Sequence, residues 1–121
     1  SKPYSSADCI VYRLGETYLI SAEIDWRLGN NQSAAERLNT LRNRACKGHD
    51  HSMDITASEV TQDFLLDEYA REMIGEWNRW MTLKRFRAFE SRITKANPQI
   101  TKFDKNIHYL RPIPHSRIIV D

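Results

Sequence analysis

The chain has 121 residues, a length suited to one domain, with 40% hydrophobic and 28% charged residues. That balance excludes a disordered chain, and apolar runs of three or four residues exclude a transmembrane helix, which needs about 20. Eighteen basic against 16 acidic side chains leave a net charge of +2, without the basic excess of a nucleic-acid-binding domain.

Four glycines and four prolines are few, and three of the prolines lie at or beyond residue 98. A chain so poor in breakers reads as all-α until its last quarter. Ser1–Ser6 reads as an irregular entry to a helix, without the basic and apolar regions of a signal peptide. The first helix is expected from Asp8, its cap, to Leu28. Its apolar stripe is Ile10, Val11, Leu14, Tyr18, Ala22 and Trp26. Gly29-Asn30-Asn31 supplies a left-handed stop. Ser33 then caps a second helix, with Glu36 as capping-box partner and a stripe of Ala34, Leu38, Leu41 and Ala45. The short turn makes the two helices an antiparallel hairpin. Tyr18, Ala22, Gly29, Ala34 and Leu38 are spaced like one tetratricopeptide unit, in which small residues let helices approach closely. Solenoid units stack on neighbours, so a larger parent is expected.

Residues 46–57 read as a loop. Thr56 or Ser58 starts a long third helix, reaching Arg79 or beyond, with apolar positions Phe64, Leu65, Tyr69, Met73, Trp77 and Trp80. A fourth helical piece covers Leu83–Phe89. From Ala96 a tail with Pro98, Pro112 and Pro114 is expected to be extended and to lie across the helices.

Five groups of residues bear on chemistry. Cys46, His49, Asp50 and His51 are metal-ligand types within six residues, but zinc wants two separated pairs, so a solvated loop without metal is expected. Cys9 and Cys46 fit no redox spacing, and their pairing stays open. Glu68, Glu72 and Glu76 climb one side of a helix, followed by Arg79. The spacing permits a glycosidase pair of Glu72 and Glu76, but cationic neighbours favour a salt-bridge ladder. Trp77, Trp80, Phe86 and Phe89 are core rather than a stacking platform, and Lys84, Arg85, Arg87 and Arg92 are a solvated basic run.

The motifs fall in a recognisable order. Tyr12-Arg13-Leu14-Gly15-Glu16-Thr17-Tyr18-Leu19-Ile20-Ser21-Ala22-Glu23 comes first, then Leu38-Asn39-Thr40-Leu41-Arg42-Asn43-Arg44-Ala45. Glu68-Tyr69-Ala70-Arg71-Glu72-Met73 leads into Gly75-Glu76-Trp77-Asn78-Arg79-Trp80-Met81-Thr82-Leu83-Lys84-Arg85, and the chain closes with Tyr109-Leu110-Arg111-Pro112-Ile113-Pro114. From Ile10 to Ile118 this resembles the C-terminal part of the SusD/RagB family. Two positions depart from the family pattern: Thr82 stands where Asp is common, and Arg117 where Glu is common.

The resemblance implies an all-α fold of tetratricopeptide-like hairpins with an extended proline-containing tail, residues 1–121 forming a single C-terminal helical domain of a larger chain. It implies a binding protein and not an enzyme: a cell-surface lipoprotein of the outer membrane that captures oligosaccharide or another oligomeric nutrient for a SusC-like TonB-dependent transporter. No cofactor and no nucleic acid belong to that role. The family's glycan site is expected in the earlier part of the parent. Glu68, Glu72, Glu76, Arg79, Trp80, Arg85, Pro112 and Pro114 would serve as a structural motif tying the last helices together. Apolar surface that normally meets the rest of the parent favours self-association. The rival readings are a stand-alone tetratricopeptide-like module, binding a partner through Tyr18, Trp26 and Leu41, and a hydrolase using Glu72 and Glu76.

Overall fold

A computed structural model describes residues 11–76, 78–110, 112–114 and 117. Among them every regular element is helical, and none of the helices is long and apolar enough to cross a membrane. The chain divides into two compact units, residues 1–79 and 80–121.

The first unit is built on α1 (Leu14–Arg27) and α2 (Asn31–Ala45), with α3 (Gln62–Glu72) against α1. Helix α1 begins at Leu14 rather than Asp8. Asp8 lies outside the described residues, but 11–13 are not helical. Arg13 is extended (φ −142°, ψ 160°), and its carbonyl accepts from the Glu16 N–H at 3.0 Å. The helix ends at Arg27 and is followed, after Leu28, by Gly29, whose φ of +81° is the expected left-handed stop. A three-residue turn then returns the chain, which makes α1 and α2 antiparallel neighbours.

The buried face of α1 is turned from the expected stripe. Val11 and Leu14 are 76% and 70% exposed, while Gly15, Leu19, Ala22 and Glu23 are buried. Hydropathy alone misplaces the face because Glu23, a carboxylate, sits in its middle. On α2, Ala34, Leu38 and Leu41 are buried as expected and Ala35 joins them, but Ala45 is exposed. Ala22, Ala34 and Ala35 are the small residues that let the hairpin close. Ser33 does not cap α2. The helix starts two residues earlier, and Glu36 accepts from the Gln32 side chain at 3.0 Å.

In the following loop the Asn39 side chain holds the Ile55 backbone from both sides, donating to its carbonyl at 2.9 Å and accepting from its N–H at 2.8 Å. That clamp seats Ile55 in the core. Thr56 and Glu59 form the expected capping box, but around a single 3-10 turn at Ala57–Glu59. A second cap starts α3, where the Thr61 hydroxyl accepts from the Phe64 N–H at 3.1 Å. Leu65, Leu66, Tyr69 and Met73 complete this core. Helix α3 stops at Glu72 instead of running to Arg79, because the chain turns through Gly75 at φ +79°. Trp77 lies outside the described residues.

The chain enters the second unit within α4 (Arg79–Arg85), followed by α5 (Phe89–Ala96) and α6 (Lys105–His108). The expected piece at 83–89 is split by Arg87, at φ +50°. Phe86, Ala88 and Phe89 are buried. Phe89 is the hub of an aromatic cluster, its ring centroid 5.0 Å from Tyr109, 5.9 Å from Phe103 and 6.0 Å from Trp80. The tail is not wholly extended: Asp104 accepts from the Asn106 N–H at 2.8 Å and starts α6. Pro112 and Pro114 are exposed and outside any helix.

Candidate functional site

The three glutamates do not form a ladder along their own helix. They meet arginines from distant parts of the chain. Glu68 is only 5% exposed and accepts from Arg42 of α2 and from Arg71 of its own helix, the latter through Nε at 2.9 Å. Both oxygens of Glu72 accept from Arg44 Nη2, at 2.7 and 2.8 Å, and Oε1 also accepts from Arg13. Arg13 continues across the group, donating from Nε to Glu76 at 2.8 Å and from Nη2 to the Glu72 carbonyl. Its guanidinium pKa is raised above the ordinary arginine value, foremost by the Glu72 hydrogen bond, against an opposing effect of partial burial.

Gly15 makes room for this. A Cβ there would run into the Arg13 guanidinium and the Glu72 carboxylate. Charge-assisted pairs of this kind fix the approach of α1, α2 and α3 by direction as well as attraction. A second buried carboxylate works similarly: Glu23 accepts from the Tyr69 hydroxyl at 3.0 Å and from Arg27 at 3.0 Å. Arg79 donates to the Leu66 carbonyl at 2.8 Å, tying the segment after Gly75 back to the middle of α3.

Glu68, Glu72 and Glu76 thus come together with Arg13, Arg42 and Arg44, whose role the charge pattern did not disclose. Arg13, Arg42 and Arg44 do stand inside the two leading sequence motifs. Of the remaining motif residues, Trp80 packs on Phe89, and the Arg85 guanidinium lies over Phe86 at 5.7 Å. Thr82 is buried.

The other constellations resolve differently. Cys46 is a buried free thiol, while Cys9 lies outside the described residues. The Cys46 thiol contacts Asp50 Oδ1 and Ser52 Oγ, each at 3.3 Å. His49 bonds the Asn43 carbonyl at 2.8 Å, and His51 bonds Asp54 at 3.0 Å. Among the described residues no three His, Cys, Asp or Glu side chains gather as metal ligands. Of the three residues expected to line a partner groove, Leu41 is buried and Tyr18 and Trp26 are half-buried. Within the basic run, Lys84 stacks over Trp80 at 4.9 Å and Arg92 is buried rather than solvated.

Comparison with known proteins agrees with the motif order. The family model for the SusD family matches residues 1–120. The starch-binding protein SusD of Bacteroides thetaiotaomicron is 36% identical over 86 residues, covering 71% of this chain and 14% of that protein. The chain therefore spans a small part of the length of its curated relative. No solved structure matches it. SusD family proteins are non-catalytic binding proteins. The all-helical fold, the arginine-clamped glutamates and the match along almost every residue lead to one conclusion: this chain belongs to the SusD family.

Proposed function

We propose that residues 1–121 are the C-terminal helical part of a SusD/RagB-like lipoprotein that captures oligosaccharide at the outer-membrane surface and hands it to a TonB-dependent transporter. The observation that carries this reading is the family match along residues 1–120. In this role Glu68, Glu72, Glu76, Arg79, Trp80, Arg85, Pro112 and Pro114 are scaffold residues. The ion-paired glutamates support that assignment, since a buried charge network specifies how helices dock more than it drives folding. The glycan site is expected in the rest of the parent.

The test uses the full-length parent and its transporter. The parent should co-purify with the transporter and bind starch or other oligosaccharides by calorimetry. The 121-residue chain alone should bind oligosaccharides no tighter than about millimolar. Micromolar affinity of the isolated chain for an oligosaccharide, or a parent that neither binds glycan nor meets the transporter, would overturn the reading.

A further inference from the structure

The second unit carries a groove of about 570 Å³ lined by Lys84, Arg87, Glu90, Lys105, Asn106, Tyr109 and Leu110. Three of these are cations and one is a carboxylate. Among the described residues none of the three cations is ion-paired. Their setting differs from that of a merely solvated face.

Arg87 sits where a glycine is expected. Helix α4 ends in a Schellman arrangement: the Ala88 N–H donates to the Leu83 carbonyl at 2.9 Å and the Arg87 N–H to the Lys84 carbonyl at 3.1 Å. The left-handed residue of that motif is Arg87, at φ +50°. An unbranched glycine would satisfy the same backbone without strain. The strained backbone brings a guanidinium to the groove wall. Cations at the end of α4 also offset its dipole, but that account does not reach Lys105, which lines the same groove from α6.

We infer that this groove is a subsite for an acidic saccharide, with Arg87, Lys84 and Lys105 receiving the sugar carboxylate. The mixture of groups selects a sugar acid over a bare inorganic anion. Glu90, Asn106 and the Tyr109 phenol stand beside the cations as partners for hydroxyl groups. Arginine recognises a planar carboxylate through two parallel hydrogen bonds, which a point charge does not.

The choice of a saccharide rests on the proposed glycan-capturing role. Failure of that role appears in the parent's transporter and oligosaccharide assays, whereas failure of the subsite appears in the measurement below. Isotope-labelled 121-residue chain is titrated with digalacturonate, maltose and sodium sulfate at matched ionic strength, following backbone amide shifts. Digalacturonate should shift amides within 84–90 and 105–110, with a dissociation constant on the order of 1 mM. Sulfate should bind about tenfold more weakly, and maltose should leave these amides unmoved. R87G, which suits the left-handed backbone and keeps the fold, and K105Q should each weaken digalacturonate binding about fivefold. The assignment fails if digalacturonate shifts nothing, if maltose or sulfate does as well, or if both variants bind like the parent chain.

Discussion

The two units use positive charge in opposite ways. In the first, arginines from three places converge on Glu68, Glu72 and Glu76, and each guanidinium is directed by a carboxylate. In the second, Lys84, Arg87 and Lys105 rim one groove with no described ion pair among them. The same residue types are therefore scaffold in one region and an open recognition surface in the other. What separates them is the carboxylate. Glu68 is buried and must be compensated, whereas Glu90 is exposed and leaves the groove with excess positive charge.

The strongest way to break this contrast lies in the apolar part of the second unit. Phe89→Ala should cost about 3–5 kcal/mol, since it removes the ring against which Trp80, Phe103 and Tyr109 pack. Hydrogen exchange should accelerate at 89–110 while amides of Leu38 and Leu65 keep their protection. Equal acceleration in both units would mean that they unfold as one body. Glu68→Gln should come next, destabilising by about 3 kcal/mol in denaturant unfolding. The contribution of Arg42, itself mostly buried, dominates that figure, while Arg71 is 55% exposed and its share is screened. Replacing Glu68 and Arg42 together by leucine and methionine should cost less than Glu68→Gln alone, because the charge left behind, Arg71, is exposed and solvated rather than buried. A larger loss in the double variant would make the pair a net stabiliser and sharpen its difference from the groove.

Arg87→Gly should have the opposite sign. Relief of the left-handed conformation should stabilise the chain by about 1 kcal/mol, read as a rise in midpoint at unchanged denaturant slope. Stability gained together with binding lost would mark Arg87 as kept for recognition. A loss of stability would place it with the structural arginines instead.

Much of the hairpin was legible from residue spacing. Ala22, Gly29, Ala34 and Leu38 occupy the places the tetratricopeptide-like pattern gives them, because close helix packing constrains size at fixed intervals. The face of α1 was less legible. Pattern reading assigns Val11 and Leu14 inward and has no means of placing Glu23 inward, since its burial depends on a hydroxyl 46 residues away. The same distance problem hides the network: Arg13 is 59 residues from Glu72, and no local charge rule reaches that far. The end of α3 was readable at Gly75 but was outweighed by the apolar spacing that continues past it. The break at Arg87 had no signal at all, because the residue there is not one that favours a positive φ.

The smallest effect concerns the loop between the hairpin and α3. Asp50 accepts from the Ser52 side chain, the Ser52 N–H at 3.1 Å and the Cys46 thiol, and these bonds lower its pKa from 3.8 to about 2. A carboxylate lowered in the folded state binds its proton more readily when unfolded. Its contribution is therefore complete only above about pH 5 and is lost as the pH falls through 3.8 toward 2. Asp50→Asn should flatten the stability profile in that window and leave it parallel to the parent chain above pH 5. Glu59, lowered by the Thr56 N–H, acts in the same direction and should keep a residual slope in the Asp50 variant. An unchanged profile would mean that the loop bonds persist with Asp50 protonated. Carboxylate pairing at that exposed site would then contribute nothing comparable to the arginine-bound glutamates.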